Sequence, residues 1–195
     1  MRLRWLGMLV WLLALVSCAA PSRIGGQAPA FERVGRFAVT LQPADGPAQA
    51  VQGGYAWRDD GTRLLLDLST PLGNVLARLQ VEPGQATLQR ADGSREQALD
   101  ADGLVASVWG HPMPVSGLRD WVRGRLVAGQ PVQGLRQNAE GRPEAFEQQG
   151  WQVRLGPWDA QGPRRIRLLR NDAQGRWQLQ LIVDDPAPDD AAAAR

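Results

Sequence analysis

The chain of 195 residues contains no lysine, one cysteine and one histidine, and these shortages exclude several kinds of chemistry. Without lysine, the chain has neither a Schiff-base amine nor the lysine of a phosphate-binding loop. A single cysteine, Cys18, cannot form an intramolecular disulfide or a zinc cluster. The length is nevertheless sufficient for one domain with a substantial buried core.

The small excess of positive charge lies in the N-terminal segment. All 22 basic residues are arginines, and they face 20 acidic residues, which gives a formal net charge of +2. Arg2 and Arg4 precede an apolar run, and the rest of the chain has equal numbers of basic and acidic side chains. Because nucleic-acid binding requires a basic surface, this balance predicts that no nucleic acid is bound.

The first 17 residues have the pattern of a bacterial lipoprotein signal peptide. Residues 5–16 are uncharged and mainly apolar, a run too short for a membrane-spanning helix, which needs about 20 residues. Leu15, Val16 and Ser17 precede Cys18 in the arrangement of a lipobox, which predicts cleavage before Cys18 and lipidation of its thiol. The alternative is a buried structural cysteine after an ordinary signal peptide or a short anchor.

Composition divides the remainder into three parts. Residues 18–30 are small, polar and rich in proline and glycine, which predicts a lipidated N-terminus and a flexible tether. Residues 31–183 contain the ordered patterns and are assigned to a single domain. Residues 184–195 are acidic, proline-containing and low in complexity, which predicts a disordered tail.

Within the domain, apolar residues recur mainly at every second position. This alternation is clear in residues 37–41, 64–68, 75–81, 151–155 and 177–183, and turn-forming residues separate the runs. Such a pattern is typical of half-buried antiparallel strands. Many short strands at this spacing predict an antiparallel sheet that curls into a barrel or a sandwich.

Two short stretches have helical spacing instead. Residues 104–109 and 118–122 carry apolar side chains on one helical face. Ser116 is predicted to cap the second helix and Gly124 to end it. Helices inserted into a curved sheet commonly cover one face, so we expect a helical lid over an apolar concave side.

The polar residues offer no convincing catalytic or metal site, and no cofactor is implied. His111 lies between the predicted helices, where a structural role is at least as good an interpretation as general-base catalysis. The pairs Asp59–Asp60 and Asp100–Asp102 have the positions of turn and cap residues. The arginine-rich residues 164–170 could bind phosphate, but their alternation favours a strand with a solvated face.

The loop at Pro71, Leu72 and Gly73 is unusual because it places leucine at an expected exposed connection. Leu72 either folds back onto the core or protrudes and contacts a membrane or a partner protein.

Several of these segments together resemble the LolB family of outer-membrane lipoproteins. The resemblance runs from GRFAV at 35–39 through GGYAW at 53–57, RLLLDLSTPLG at 63–73 and GHPMPVSGLRDWVRG at 110–124 to QQGWQV at 148–153. It spans about Arg33 to Val183. The separation of LSTPLG from PVSGLRDW is its most specific part.

The resemblance implies a mainly β fold with short helices, an incomplete antiparallel β-barrel with a helical lid over a hydrophobic cavity. It implies a monomer, lipid-anchored at the periplasmic face of the outer membrane, that accepts client lipoproteins from a LolA-like periplasmic carrier by binding their acyl chains. It also gives Leu72 a role in membrane insertion. The residues expected to line the cavity or the lid, with ordinary core as the alternative for each, are Trp57, Leu64, Leu66, Leu68, Val108, Leu118, Trp121 and Val122.

The alternative of a different class is a structural envelope lipoprotein that acts as a scaffold without a ligand. An enzyme with a lipid-like substrate is a third interpretation, but the sequence supplies no convincing nucleophile and base. Binding of an acyl chain would separate the receptor from the scaffold.

Overall fold

The computed structural model describes residues 30–111 and 113–185, which form one antiparallel sheet and two short helices. The predicted signal peptide, Cys18, nearly all of the tether and the tail from residue 186 lie outside the described residues. The strands are β1 (Phe31–Pro43), β2 (Gln49–Asp59), β3 (Leu64–Ser69), β4 (Val75–Glu82), β5 (Gln85–Arg90), β6 (Arg95–Ala98), β7 (Gln133–Gln137), β8 (Pro143–Gln148), β9 (Trp151–Leu155), β10 (Arg165–Asp172) and β11 (Gly175–Val183). The helices are α1 (Ala101–Trp109) and α2 (Val115–Trp121), both between β6 and β7.

The strand order is β6-β5-β4-β3-β2-β1-β11-β10-β9-β8-β7, and every neighbouring pair is antiparallel. In the described part of the chain no ladder joins β6 to β7, so the sheet is unclosed. The predicted fold class, an incomplete antiparallel barrel with short helices, is therefore confirmed.

The period-two pattern correctly identifies the buried face of the strands. In β11, Trp177, Leu179 and Leu181 are buried while the residues between them are more exposed. In β10, Ile166 and Leu168 are buried and the arginines beside them are exposed, so this segment is the predicted strand with a solvated face.

Two glycines allow neighbouring strands to approach closely near the middle of the sheet. A Cβ on Gly35 or Gly53 would lie 2.0 or 1.9 Å from a carbonyl oxygen of an adjacent strand. The rings of Tyr55 and Phe37 cover these positions, at 3.0 and 3.1 Å from the Cβ sites of Gly35 and Gly53. Any larger residue would force the backbones apart, so these glycines are required for the tight curvature of the sheet.

Helix α1 has well-formed ends. The Asp100 side chain accepts a hydrogen bond of 2.7 Å from the Gly103 N–H, as an N-cap should, and Gly110 ends the helix in the left-handed conformation with φ 72°. Asp100 is thus a cap residue, as predicted.

Helix α2 begins differently from the prediction. Pro114, rather than Ser116, occupies the N-cap position, because proline favours a helix boundary and Ser116 already lies in the first turn. The Ser116 N–H donates to Asp102 of α1 at 2.9 Å, and its hydroxyl donates to the same carboxylate. Gly124, with φ 72°, follows the end of the helix as expected. No helix within the described ranges is long and apolar enough to cross a membrane.

Candidate functional site

An apolar cavity of about 260 Å³ lies between the concave face of the sheet and the two helices. Among the described residues that line it, polar side-chain groups occur on Tyr55, Arg90 and the indoles of Trp57 and Trp109. The remaining lining residues are aliphatic, aromatic or methionine side chains from β1–β5, β11, α1, α2 and the helix connection: Phe37, Val39, Val51, Trp57, Leu66, Leu68, Leu76, Ala77, Leu79, Leu88, Val105, Val108, Trp109, Met113, Val115, Leu118, Leu179 and Leu181.

This lining determines which ligands the cavity can accommodate. A polar ligand would lose its hydrogen bonds to water and find almost no partners here, whereas hydrocarbon loses nothing. No group of three or more potential metal-ligating side chains occurs within residues 30–111 and 113–185. The cavity is therefore suited to a flexible apolar chain.

The structure places the predicted cavity residues in two groups. Trp57, Leu66, Leu68, Val108 and Leu118 line the cavity. Leu64, Trp121 and Val122 are instead fully buried in the core and do not line it.

Trp121 shows why a residue on the predicted apolar face can belong to the core. Its indole N–H donates to the Gln148 side-chain oxygen at 3.2 Å, and its ring packs edge-on against Phe146 at a centroid distance of 6.3 Å. Gln148 in turn bonds both the N–H and the C=O of Val127, at 3.0 and 2.9 Å. These contacts hold α2 to the far half of the sheet, away from the cavity.

Sequence reasoning missed several lining residues that the same pattern contains. Phe37, Val39, Leu79 and Leu181 occupy every-second positions of their strands and line the cavity, but the sequence prediction does not include them. The two-residue alternation of the strands shows that these side chains point inward. Their distance from the helices depends on tertiary packing, which the alternation does not describe.

The cavity opens at a rim of partly exposed apolar residues. Val51, Leu76 and Trp109 line it and are also exposed to solvent. Arg90 lies among them and is paired with Glu96 at 2.6 Å. An apolar ligand can therefore contact hydrophobic surface before it is fully enclosed.

The β3–β4 connection presents Leu72 to solvent. Leu72 is 90% exposed, so the interpretation in which it folds back onto the core is wrong. The Thr70 N–H donates to the Asn74 carbonyl at 2.8 Å and the Gly73 N–H donates to the Thr70 carbonyl at 2.9 Å. Gly73 has φ 87°, which favours glycine. The turn is thus well formed, and exposure of Leu72 does not result from a lack of local structure.

A buried carboxylate fixes α2 to the end of β2. Asp59, 1% exposed, accepts two hydrogen bonds of 2.8 Å from Arg119 and one of 2.6 Å from Arg123. Burial alone would raise the pKa of the Asp59 carboxyl, but these hydrogen bonds outweigh it and hold the pKa well below its ordinary value. The sequence predicts only a turn role for Asp59. Its carboxylate accepts a hydrogen bond of 2.8 Å from the Gly61 N–H, which fits that role, but its main role is in the ion pairs with Arg119 and Arg123.

A second ion pair lies where the ordered chain begins. Arg33, almost fully buried, donates two hydrogen bonds of 2.7 Å to Asp159, which lower the pKa of that carboxyl from 3.8 to about 2. The guanidinium of Arg123 lies 4.3 Å from the Phe31 ring centroid, within cation–π distance. The first residues of β1 are thereby attached to the same end of the sheet as α2.

His111 packs against the sheet beside the helices. Its ring centroid lies 4.1 Å from that of Trp177, with the planes tilted by 54°. This contact gives the residue a structural role at the connection between α1 and α2.

An unclosed antiparallel sheet that encloses an apolar cavity under two short helices defines an incomplete β-barrel protein with a hydrophobic cavity. The family model described as "Outer membrane lipoprotein LolB" matches residues 29–185, and the chain belongs to this family. The resemblance noted in the sequence is therefore confirmed.

Relatives from several bacteria agree with this assignment. The outer-membrane lipoprotein LolB of Bordetella pertussis is 47% identical over 188 residues, which cover 94% of each chain. That of Bordetella petrii is 48% identical over 183 residues, covering 90% of this chain and 92% of the relative. That of Cupriavidus necator is 36% identical over 184 residues, with coverage of 90% of this chain and 92% of the relative.

Among solved structures, a LolA superfamily protein from Nitrosomonas europaea matches with a TM-score of 0.44 and 12% identity, covering 85% of this chain and 90% of that one.

Proposed function

We propose that this chain is an outer-membrane lipoprotein that accepts client lipoproteins from a LolA-like periplasmic carrier and inserts them into the outer membrane. The observation that carries the proposal is the apolar cavity beneath the helices of a LolB-family fold. The chain has no enzymatic role in this scheme, and no cofactor is needed.

Moving acyl chains through water requires such a shelter. Burying one methylene contributes about 0.8 kcal/mol, so a chain of about 16 carbons would expose about 12 kcal/mol of hydrocarbon in water. The sequence contains no nucleotide-binding motif, so transfer runs from a weaker apolar site on the carrier, to a stronger one here, to the bilayer. Differences in affinity are sufficient to drive each step.

The size of the cavity implies that the lid moves during loading. At about 260 Å³ the cavity is slightly smaller than typical ligand pockets of roughly 300–1,000 Å³. Helix α2 is fixed by the Asp59 ion pairs, whereas α1 packs on β5 and β6 at one end of the sheet. We therefore expect α1, which carries Val108 and Trp109, to move outward and admit the chain.

Two features of the chain would act at the membrane. The lipidated Cys18 would hold the chain at the periplasmic face of the outer membrane, as a monomer on a flexible tether. Leu72 would contact the leaflet during delivery, since a single exposed leucine on a rigid turn can enter an apolar phase at little cost.

The direct test is binding of a fluorescent fatty acid to purified residues 19–195. Saturable binding that unlabelled fatty acid or lipoprotein displaces is expected, and Leu68→Glu in the cavity should abolish it. Leu99→Glu is the matched control because Leu99 is exposed and does not line the cavity. If the folded chain binds no fatty acid, the ligand-free scaffold is the correct interpretation.

A further inference from the structure

The outer face of β9 and β10 carries three exposed arginines that the cavity does not use. Arg154, Arg165 and Arg167 alternate with the buried residues Val153, Leu155, Ile166 and Leu168. Because successive side chains in a strand point to opposite faces, the three guanidinium groups lie on the convex side of the sheet. We refer to these three residues as the arginine face.

The pairing of these strands brings like charges together. Arg167 lies directly opposite Arg154 in the β9–β10 register, and like charges in this arrangement are destabilising. Within residues 30–111 and 113–185, none of the three has a carboxylate oxygen within 4 Å; Arg167 contacts only the Gln180 side-chain oxygen, at 3.2 Å. The arrangement therefore favours a bound anion that compensates the repulsion.

Several exposed arginines on the other half of the sheet do have acidic partners. Three exposed ones form ion pairs with neighbouring carboxylates: Arg58 with Glu32 at 2.8 Å, Arg63 with Glu82 at 2.7 Å and Arg78 with Asp67 at 2.6 Å. Lack of an acidic partner is not confined to the arginine face, because the exposed Arg95, Arg136, Arg142 and Arg176 also have no described carboxylate oxygen within 4 Å. The arginine face is distinguished by its geometry, since Arg154 and Arg167 lie directly opposite each other on neighbouring strands.

We infer that the arginine face binds the phosphate groups of anionic phospholipids in the membrane to which the protein is anchored. The planar guanidinium matches phosphate geometry and remains charged at any physiological pH. A domain held at a leaflet by a tether meets that surface continually, so several weak contacts are enough to orient it. This inference goes beyond acyl-chain transfer, and it rests on the proposed lipid anchor and tether at the outer membrane.

The arginine face lies on the same side of the sheet as a groove that reaches the β3–β4 connection, which carries Leu72. Arg36 and Arg165 both flank Ile182 in the strand register. Arg36 also borders an open groove on the outer side of the sheet together with Pro71 and Val75 from the loop region. The outer side of the sheet therefore carries the arginine face and extends to the connection that holds the exposed Leu72.

Few acidic groups lie near the arginine face, and the acidic tail of the chain is the one segment that could compete with phospholipid for it. Asp184 pairs with Arg36 at 3.1 Å, Asp185 pairs with Arg164, and Glu147 lies on the neighbouring strand β8. The chain beyond them contains Asp189 and Asp190, which could reach the arginine face by folding back. Removal of residues 186–195 is therefore part of the test.

The experiment uses the full lipidated chain reconstituted in vesicles. Gln152, exposed on β9 beside Arg154, is replaced by cysteine and labelled with a fluorophore; the parent chain, treated identically, reports any free Cys18 thiol. Quenching by lipids with spin labels near their headgroups measures how close the face lies to the bilayer. We expect stronger quenching with about 30% phosphatidylglycerol than with phosphatidylcholine alone, and loss of the difference at high salt.

The decisive variant is Arg154→Gln/Arg165→Gln/Arg167→Gln. Each basic residue near an anionic surface strengthens binding to it about fivefold. Loss of three should therefore lower the ratio of molecules with the arginine face against the bilayer to molecules with it turned away, on the order of 100-fold. The control Arg58→Gln/Arg63→Gln/Arg95→Gln changes the net charge equally and should retain the quenching. Equal quenching in anionic and neutral vesicles, or an unchanged triple variant, would overturn the inference. It would also be overturned if the lipid dependence appeared only after residues 186–195 were removed, since the tail would then occupy the face.

Discussion

The ion pairs of Asp59 make a quantitative prediction about the lid. Substituting Asp59 with alanine removes the acceptor of three hydrogen bonds from Arg119 and Arg123. Removing one partner of a buried ion pair typically costs 3–5 kcal/mol. The two arginine side chains are 28% and 17% exposed, so water can solvate them in part, and we expect a loss of about 3 kcal/mol. For a domain of this size that corresponds to a fall in Tm of about 6–12 °C.

Urea unfolding followed by tryptophan fluorescence measures this loss, with an unchanged slope indicating an unchanged denatured state. Asp67→Ala is the matched control because Asp67 also accepts two hydrogen bonds from one arginine, Arg78, whose side chain is half exposed. We expect less than about 1 kcal/mol for the control.

Hydrogen exchange distinguishes a local from a global effect. In Asp59→Ala, the amides of α2 should lose protection more than those of β1 and β11, because the ion pairs attach α2 to the sheet. If Asp59→Ala costs no more than Asp67→Ala, or if α2 exchange is unchanged, then Asp59 does not fix the lid. A double-mutant cycle with Arg119→Ala would show whether the two side chains are energetically coupled.

Three further predictions concern delivery, binding and acid stability. Leu72→Glu should leave folding and fatty-acid binding intact but impair delivery of lipoproteins to vesicles. The control Leu99→Glu, at a site 82% exposed, should deliver lipoproteins normally. Equal delivery by both variants would contradict a role for Leu72. Leu66→Trp should fill part of the cavity and weaken fatty-acid binding on the order of tenfold, as measured by probe displacement, while Leu66→Met should bind normally. The folded pKa of Asp159, about 2, lies below the ordinary value of 3.8, so its contribution to stability is complete above about pH 4 and is lost as the pH falls towards 2. That contribution is about 1 kcal/mol for a partly exposed group, and in a Tm series from pH 2 to 7 the variant Asp159→Asn should show a smaller acid loss than the parent chain.

The strand faces could be predicted from the sequence because their cause is local. Side chains alternate across a strand, so the runs at 64–68 and 177–183 identify their inward faces without any tertiary information. β7 gave no such signal, since all five of its residues are exposed and no alternation exists. The unclosed sheet followed from the family resemblance, because spacing alone left a barrel and a sandwich equally open.

The cavity lining was predictable only as far as the face. Leu64, Leu66 and Leu68 share one face of β3, yet Leu64 lies in the core and the other two line the cavity. Whether each leucine lies in the core or lines the cavity depends on where the helices cover the strand. The period of the sequence carries no information about that position. The Asp59 ion pairs were missed for a similar reason, since their partners lie about 60 residues away in sequence.

The gap between β6 and β7 has a mechanical consequence. In a closed barrel, strand number and shear fix the radius, and a change of capacity requires hydrogen bonds to break. Here the described ladders end at two free edges, so the sheet can widen or narrow by changing its curvature while every ladder stays intact. The free edges therefore leave the internal volume free to follow the curvature of the sheet. In the proposed function, this would let one fold enclose clients with different numbers of acyl chains and contract again once they have left.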